Sequence, residues 1–321
     1  MQCNRRCCKE KEQMMDRSYV PVLEHVKGDT WCIVTGFGLI PLYMADRQNA
    51  VLIDSGLGKN YREGILNLLK QEKIRIASIL TSHIHPDHIG NHVVLRETHG
   101  CEICMSPYAA AMCRDPMNQR NGGFEAYLMR KNNPYHSVPA DRIVGWDDGT
   151  VVAAGAEFKI LQLPGHAPEQ MGFVTPDNAA YLADTLLSEQ LLKAIRIPYL
   201  AHCGTDLEAK ATILNMNYDV YLLAHNEIST DVRKLAERNI TNMHEKIDMV
   251  ERLADRWLTL DQLTERVMAE TDADTSSVRI ILGTKRNVQL LMEYLQEHGR
   301  MDVRANNGTV EYIATAALET E

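Results

Sequence analysis

Three histidines and an aspartate lie close together in the segment TSHIHPDHIG, residues 81–90. They are His83, His85, Asp87 and His88. Imidazole nitrogens and carboxylate oxygens are together the preferred protein ligands of zinc and of similar divalent ions. The cluster therefore predicts a metal site, and metal-assisted chemistry is the first hypothesis for the function.

Three further residues of the same types lie at the ends of apolar runs. FKILQLPGH ends at His166, AAYLADT contains Asp184, and YDVYLLAH ends at His225. The cluster that begins at His83 likewise follows the apolar run IASIL. Such runs predict buried strands. Because strand ends lie along one edge of a sheet, we expect these residues to converge there on one site.

The same motifs, preceded by Asp54 in LIDSG, resemble those of the metallo-β-lactamase superfamily, and especially of its glyoxalase II-like branch. The resemblance covers roughly residues 20–235, and the motifs occur in the order expected for the family. It implies an α+β fold, a four-layer αββα sandwich, with a two-metal centre at one edge.

The resemblance also implies how the ligands divide between the two metals. One metal would be held by His83, His85 and His166, the other by Asp87, His88 and His225, and Asp184 would bridge them. The implied cofactors are two divalent metal ions, with zinc as the first choice and iron or manganese as alternatives.

The implied reaction is hydrolysis by a hydroxide that bridges the two metals, without a protein nucleophile. Coordination lowers the pKa of water to about 7, so hydroxide is present at neutral pH. Asp87 would orient the hydroxide and accept its proton, and Asp54 would orient a ligand histidine. These two aspartates are the predicted catalytic residues. Asn226 stands where relatives usually carry glycine, but asparagine tolerates unusual dihedrals, so we expect the site to be retained.

Composition sets limits on the partners. The 321 residues are 45% hydrophobic and 24% charged, which is ordinary for a globular protein. The formal net charge of −9 gives no support to non-specific binding of nucleic acid or of an anionic membrane. The N-terminal segment lacks the apolar core of a signal peptide, and no run approaches the length of a membrane span. A cytoplasmic protein that does not bind membranes is the expectation.

The chain divides into three predicted parts: a flexible tail at 1–18, a catalytic domain at 19–235 and a winged-helix-like domain at 236–321. A meander of antiparallel strands is expected from about 20 to 56, and a helix over 60–70. In the last part, an apolar stripe predicts a helix and an Asn-Gly pair predicts a hairpin. The residues of the stripe are Ile240, Met243, Ile247, Val250, Leu253 and Trp257. Thr259 and Gln262 could form a capping box at the start of the next helix. The pair at the hairpin turn is Asn307-Gly308.

Other polar residues have weaker functional interpretations. Residues 106–146 interrupt the regular alternation, and such an insertion can form a lid or a pocket wall. Lys193, Arg196 and Tyr199 could bind an anionic substrate group, although a surface role is the default for each. His202 shares their loop and could reach the mouth of the pocket. Six other histidines are expected to be structural rather than metal ligands: His92, His99, His136, His202, His244 and His298.

The eight cysteines are interpreted as thiols rather than as a disulfide framework, because the chain is long and carries no secretion signal. Cys101 and Cys104 have the spacing of a redox or zinc motif. They fall in a predicted strand, where they would point to opposite faces, so burial is the better interpretation. Cys3, Cys7 and Cys8 could bind metal, but no second pair of ligands completes such a site.

The expected substrate is a small-molecule ester, thioester or lactone. A single-stranded RNA or phosphodiester nuclease is one alternative, since winged helices often bind nucleic acid. Residues 231–321 carry 12 Lys/Arg and 17 Asp/Glu, however, and only Lys285-Arg286 suggests a basic stripe. Nucleic acid is therefore disfavoured but stays open, and packing, homodimerisation or pocket closure is the expected role of this part. An iron-dependent dioxygenase of the persulfide type is the other alternative.

Overall fold

The computed structural model describes residues 19–115, 117–118, 137–225 and 227–318. The predicted tail with Cys3, Cys7 and Cys8, most of the possible lid, His136 and Asn226 lie outside these residues. The strands are β1 Val22–Lys27, β2 Thr30–Val34, β3 Leu39–Met44, β4 Asn49–Ile53, β5 Arg75–Leu80, β6 Glu102–Met105, β7 Arg142–Ile143, β8 Thr150–Ala153, β9 Ala156–Gln162, β10 Met171–Val174, β11 Ala179–Tyr181, β12 Val220–Leu223, β13 Glu227–Ser229, β14 Leu258–Thr259, β15 Met301–Asn306 and β16 Thr309–Ala314.

Helices connect and cover these strands. Over the described part of the chain they are α1 Gly58–Gln71, α2 Pro86–Ile89, α3 His92–His99, α4 Pro107–Arg114, α5 Glu189–Ala194, α6 Cys203–Ile213, α7 Arg233–Leu253, α8 Leu260–Glu270, α9 Val278–Glu297 and α10 Thr315–Leu318. None of the described helices has both the length and the apolar character needed to cross a membrane.

The strands form two large sheets and one small sheet. The first has seven strands in the order β1 to β7; β1–β4 pair antiparallel, as the predicted meander requires, and β4–β7 pair parallel. The second has six strands in the order β13-β12-β11-β10-β9-β8. The third has the order β14-β16-β15 and belongs to the C-terminal region. The two large sheets supply the middle layers of the fold.

Three buried clusters define the layers. In β4, Val51 packs between the sheets with Phe158, whereas the next residue, Leu52, packs on the outer face with Ile65 of α1. Successive strand residues point to opposite faces, so both faces of this strand are buried. On the outer face of the second sheet, Leu161, Leu163, Val174 and Leu182 pack against Ala209, Ile213 and Ala236 of α6 and α7. The order is helix, sheet, sheet, helix, which confirms the predicted αββα sandwich.

Local sequence signals determine several element ends. Gly100 ends α3 with φ +67°, and its N–H donates to the Arg96 carbonyl. Thr259 and Gln262 form the predicted capping box of α8, each side chain bonded to the backbone of the other. Asn307 and Gly308 both have positive φ in the turn between β15 and β16, as a two-residue hairpin requires.

The C-terminal helices and the small sheet share a separate core, which includes Met243, Ile247, Val250, Leu263 and Leu291. The predicted stripe is wrong at its last member, because α7 ends at Leu253 and Trp257 lies beyond it. The chain turns there so that Leu258 and Thr259 can pair with β16. The winged-helix assignment and the domain limits stay predictions.

Five described cysteines are buried and form no disulfide bond: Cys32, Cys101, Cys104, Cys113 and Cys203. Cys101 packs with the helices on the outer face of the first sheet, and Cys104 packs between the sheets. The two thiols therefore lie on opposite sides of the sheet, as predicted. Burial raises the pKa of Cys101 to about 11, which keeps this thiol protonated at neutral pH.

Candidate metal centre

The candidate ligands lie at one end of the sandwich, where loops leave both large sheets. His83 and His85 follow β5 of the first sheet, and α2 then presents Asp87 and His88. His166, Asp184 and His225 follow strands β9, β11 and β12 of the second sheet. The expectation of a single sheet edge is therefore wrong in one respect. The residues meet between two facing sheets, because neither sheet alone carries both groups of strands.

The first group of donors comprises His83, His85, His166 and Asp184, whose ligand atoms all lie within 4.8 Å of one another. His85 Nδ1 lies 2.9 Å from His83 Nε2 and 2.9 Å from His166 Nε2. His166 Nε2 lies 3.2 Å from Asp184 Oδ2. Three imidazoles and one carboxylate therefore each direct one atom at a common point.

The second group comprises Asp87, His88, Asp184 and His225, and its ligand atoms also lie within 4.8 Å of one another. Asp184 places Oδ1 3.4 Å from His88 Nε2 and Oδ2 3.4 Å from His225 Nε2. Asp87 Oδ2 lies 3.9 Å from His225 Nε2. Asp184 belongs to both groups, so one carboxylate joins two adjacent donor sets.

Asp54 holds the loops that carry the first-sheet donors. Its φ of +63° turns the chain sharply at the end of β4. Its Oδ2 accepts hydrogen bonds from His88 Nδ1 at 2.8 Å, from the Ser82 hydroxyl at 2.6 Å and from the Tyr181 hydroxyl at 2.9 Å. The Ser82 oxygen in turn lies 3.0 Å from His83 Nδ1. Because Nδ1 of both histidines is engaged on this side, Nε2 of both faces the donor groups.

His225 is oriented from the first sheet. Its Nδ1 lies 3.3 Å from the Phe37 carbonyl, which can only accept, so Nδ1 carries the hydrogen and Nε2 is left as a donor to a cation. The Phe37 ring also packs edge-on against the imidazole, with the ring centroids 5.0 Å apart. Gly38 permits this approach, since a Cβ there would lie 2.5 Å from the Ala224 carbonyl oxygen.

The His166 loop needs a glycine for a similar reason. Gly165 has φ +126°, and a Cβ on it would overlap the backbone of Asp206 in α6. The Gly165 carbonyl accepts hydrogen bonds from the N–H groups of Ala201 and His202. The loop that presents His166 is therefore pressed against the start of α6 and fixed there.

Burial and neighbouring charges shift the histidine pKa values of the two donor groups in opposite directions. Burial lowers the pKa of His83 and His166 well below the usual range and that of His85 to about 4, so these imidazoles are neutral. Burial would also lower the pKa of His88 and His225, but Asp184 and its neighbouring carboxylates raise both, His225 to about 9. Asp184 has the opposite balance: burial raises its pKa, and the surrounding histidines lower it well below the usual range.

These residues fit a pair of cations. Three neutral imidazole nitrogens meet here, with His83 Nε2 and His166 Nε2 each 2.9 Å from His85 Nδ1, and neutral imidazole nitrogens are preferred ligands of zinc. Asp184 Oδ1 is buried and has no hydrogen-bond partner among the described residues. A buried carboxylate oxygen without a donor is costly, and a cation between the two groups would satisfy it.

Other predicted residues take different positions. Tyr199 does lie at the site, with its ring centroid 5.0 Å from that of His85 and 5.4 Å from that of His166. Lys193 and Arg196 are exposed, consistent with the surface default. His92, interpreted as structural, is fully buried between the hydroxyls of Ser55 and Thr81. Of the described histidines assigned structural roles, none belongs to either donor group.

Sequence reasoning missed two residues that hold the site. Tyr181 lies on β11 and donates to Asp54, and Ser82 connects Asp54 to His83. The serine lies directly beside the first histidine, so its position was a usable signal. The tyrosine contact joins the two sheets, and no local pattern indicates it.

Comparison with known proteins shows the family to which this chain belongs. Residues 42–231 match the family model described as Metallo-beta-lactamase superfamily. The match covers more than half of the chain, so the protein belongs to this superfamily and is a metal-dependent hydrolase, as the resemblance implied.

Individual relatives agree with this assignment. A Haemophilus influenzae protein named hydroxyacylglutathione hydrolase GloC is 22% identical over 184 residues, which are 56% of this chain and 80% of that protein. A hydroxyacylglutathione hydrolase from Rhodopseudomonas palustris is 25% identical over 164 residues, 45% of this chain and only about half (54%) of the relative. The crystal structure of a metallo-beta-lactamase family protein from Thermus thermophilus has a TM-score of 0.67 at 17% identity, covering 92% of this chain and 97% of that one. At this identity the last comparison shows the fold alone.

Proposed function

We propose that this protein hydrolyses a small-molecule thioester, with esters and lactones as related substrates, at a centre of two divalent metal ions, zinc first. The observation that carries the proposal is the sharing of Asp184 between two complete donor groups. The names of two relatives, both hydroxyacylglutathione hydrolases, favour a thioester within the superfamily's range of hydrolytic reactions.

The two ions would be held by the donor groups described above, with Asp184 in common. When bound, divalent ions lower the pKa of coordinated water and polarise the carbonyl that is attacked. Asp54 contributes by holding two ligand histidines in position. Its carboxylate accepts a hydrogen bond directly from His88 and is connected to His83 through the Ser82 hydroxyl. It contacts no reacting atom, so we assign it as a positioning residue.

Asp87 is the carboxylate best placed to handle a proton. Its side chain is 21% exposed, against 6% for Asp184 and 2% for Asp54. Its Oδ2 lies within 4 Å of both His88 Nε2 and His225 Nε2. A carboxylate at the mouth of the site can accept the proton that the attacking water loses and return it to the leaving thiolate.

A cleft lies beside the second donor group, and we propose that the substrate approaches the metal centre from this side. It is lined by apolar residues of the β2–β3 turn, of β3 and of the loop after β4, including Phe37, Leu39 and Leu57, and by Asp87 and His225. An acyl chain against this wall would place its carbonyl next to the donor groups. The wall combines apolar surface with the polar donors of the second group, and small-molecule sites use both kinds of surface.

Charge argues against a nucleic acid in this cleft. Beyond the metal ligands, the cleft wall contributes no lysine or arginine that could bind further phosphates. The whole chain carries a formal charge of −9, and a polyanion would need a basic stripe to offset its phosphates. A small molecule is therefore the proposed partner, and a cytoplasmic location and a homodimer stay proposals.

A substrate panel on protein of measured metal content tests the proposal. Thioesters, lactones, phosphodiesters and single-stranded RNA would be compared with zinc, manganese or iron bound. We expect two metals per chain and the highest kcat/KM on thioesters, with turnover abolished by a chelator. Preference for RNA would support the nuclease alternative instead. A single iron with oxygen consumption on a persulfide would support the dioxygenase, and turnover after complete metal removal would exclude the proposed mechanism.

A further inference from the structure

Gln170 is a fully buried polar residue at the end of the loop that carries His166. Its Nε2 donates to the Leu163 carbonyl at 3.0 Å and to the Thr185 hydroxyl oxygen at 3.0 Å. Leu163 lies at the start of the His166 loop, directly after β9, and Thr185 is the residue after Asp184. One amide group therefore connects the loop of His166 to the loop of Asp184.

The backbone beside this amide also reaches the first sheet. The Met171 N–H donates to the Ser82 carbonyl at 3.0 Å, and Ser82 is the residue before His83. The Gln170 carbonyl accepts a hydrogen bond from the Leu163 N–H at 3.0 Å, which closes the loop between them. Two consecutive residues, Gln170 and Met171, thus join ligand loops from both large sheets.

The hydrogen bonds of Thr185 determine which way the amide of Gln170 points. The Thr185 hydroxyl has one hydrogen, which it donates to the Leu182 carbonyl at 2.8 Å. Toward Gln170 the hydroxyl oxygen therefore accepts, and the NH2 group must be the donor. The same turn presents Asp184, whose Oδ2 lies 3.2 Å from His166 Nε2. Gln170 joins the two sides of that contact from behind.

Packing alone does not explain an amide at this position. Gln170 Oε1 is buried and has no hydrogen-bond partner among the described residues, which costs stability. Methionine would fill a similar volume and would remove the unpaired oxygen, although the Leu163 carbonyl would then lose its partner. The two side chains are therefore close to balance for stability. Only the amide joins the two loops.

The residue before Gln170 is held from the opposite side. Glu169 has φ +47°, a left-handed conformation that residues other than glycine rarely adopt. Its Oε2 accepts a hydrogen bond from the Tyr108 N–H at 2.7 Å, in the first turn of α4. That N–H has no partner within the helix, so the carboxylate satisfies it. The end of the His166 loop is thus fixed both by Gln170 and by Glu169.

We propose that Gln170 is a positioning residue of the metal centre, whose amide holds the His166 loop against the Asp184 loop and so keeps the spacing of the first donor group. Gln170 acts through these loops and contacts no reacting atom. His225, of the second donor group, is oriented by the Phe37 carbonyl instead. Loss of the amide should therefore disturb the first group more than the second. The inference rests on the two-metal centre of the proposed function and does not depend on the substrate.

Gln170→Met tests the inference, with Gln162→Met as the matched control. Gln162 also donates from Nε2 to a carbonyl, that of Trp146 at 3.2 Å, but it is exposed. Competition with a fluorescent chelator should show about 10–100-fold weaker binding of one of the two zinc ions in Gln170→Met. Gln162→Met should bind both ions like the wild type. Wild-type affinity for both ions in Gln170→Met would overturn the inference.

Thermal stability separates positioning from general destabilisation. Because the two side chains are close to balance, the Tm of metal-free Gln170→Met should lie within about 4 °C of the wild-type value. The imidazole NMR signals of the zinc-loaded protein give a second measurement. The signals of His166 should shift in Gln170→Met, and those of His225 should stay at their wild-type positions. A much lower metal-free Tm, or equal shifts at both histidines, would overturn the positioning role.

Thr185→Val removes the other end of the connection with a side chain of the same shape. Since both changes break the same hydrogen bond, the double variant Gln170→Met/Thr185→Val should lose about as much zinc affinity as the weaker-binding single variant. Losses that multiply would show that the two residues act independently and would overturn the inference. If Gln170→Met does not fold, Thr185→Val alone should show the weaker zinc binding, and wild-type affinity there would overturn it.

Hydrogen exchange separates this inference from the proposed function. A wild-type protein that binds no metal would refute the two-metal centre, and the connection between the loops is then measured on the metal-free protein. The Met171 N–H, which donates to Ser82, should exchange about tenfold faster or more in Gln170→Met than in wild type and Gln162→Met. Equal exchange rates in all three proteins would show that the amide does not hold these loops.

Discussion

Asp54 Oδ2 lies 2.8 Å from His88 Nδ1, and on the other side of the same ring His88 Nε2 lies 3.4 Å from Asp184 Oδ1. One imidazole thus connects a positioning carboxylate to the carboxylate shared by both donor groups. The Tyr181 hydroxyl, whose pKa burial and Asp54 raise well above the usual range, stays protonated and donates to the same Asp54 oxygen. Histidines in metal sites are commonly oriented by such a carboxylate.

Asp54→Asn tests this relationship. Asparagine tolerates the positive φ at this position but is a weaker acceptor for the His88 N–H, so metal affinity should fall about 10–100-fold, with a matching loss of activity. Competition with a fluorescent chelator measures the affinity. Asp147→Asn, at an exposed turn, is the control and should bind metal like the wild type. Unchanged metal affinity in Asp54→Asn would remove its assigned role.

Asp184→Asn should affect both metal sites at once, because Asp184 belongs to both donor groups. We expect metal content to fall from two ions per chain to one or fewer, and activity to fall by more than the roughly 100-fold typical of residues outside the ligand set. Elemental analysis and steady-state kinetics measure the two effects. Retention of two ions per chain would contradict the bridging assignment.

Metal removal should also lower thermal stability. The neutral histidines and the shared carboxylate are preorganised in the folded chain, so metal binds the folded state in preference to the unfolded one. Saturation at 100 times the Kd stabilises by about 2.7 kcal/mol. Scanning calorimetry with and without a chelator should show a lower Tm in the chelated sample that added zinc restores. Identical Tm values in both samples would contradict a metal centre built from these residues.

A buried ion pair behind the His166 loop offers a test of packing. Asp206 and Lys210 on α6 are paired and both nearly fully buried. Lys210→Met leaves the carboxylate without a partner and should cost about 3–5 kcal/mol of unfolding free energy, whereas the double variant Asp206→Leu/Lys210→Met should recover much of it. Denaturant titration measures both.

The exposed pair Arg252–Glu270 is the matched control for the buried pair. Arg252→Met should cost less than about 1 kcal/mol, because solvent screens an exposed ion pair. If Lys210→Met and Arg252→Met lost similar amounts of unfolding free energy, burial would not increase the contribution of the α6 pair to stability.

Much of this protein could be predicted from local sequence. The capping box of α8, the glycine end of α3 and the Asn307-Gly308 turn follow from short-range backbone chemistry, which acts the same way in any fold. The types and spacing of the seven candidate ligands, from His83 to His225, indicated metal chemistry because few other sites need so many imidazoles and carboxylates after apolar strands. The resemblance to the superfamily supplied the sandwich.

Tertiary structure decided how these pieces meet. The ligands converge between two sheets rather than along one, and the tyrosine of β11 binds the aspartate that ends β4 across that junction. Trp257 lies outside its predicted helix because the strand pairing of Leu258 and Thr259 with β16 competes with the helical pattern. Arg286 reaches Tyr199 because the C-terminal core encloses the loop at 197–203. Local sequence determines turns, caps and donor types, whereas contacts between distant segments depend on the packing of whole layers, which no short pattern encodes.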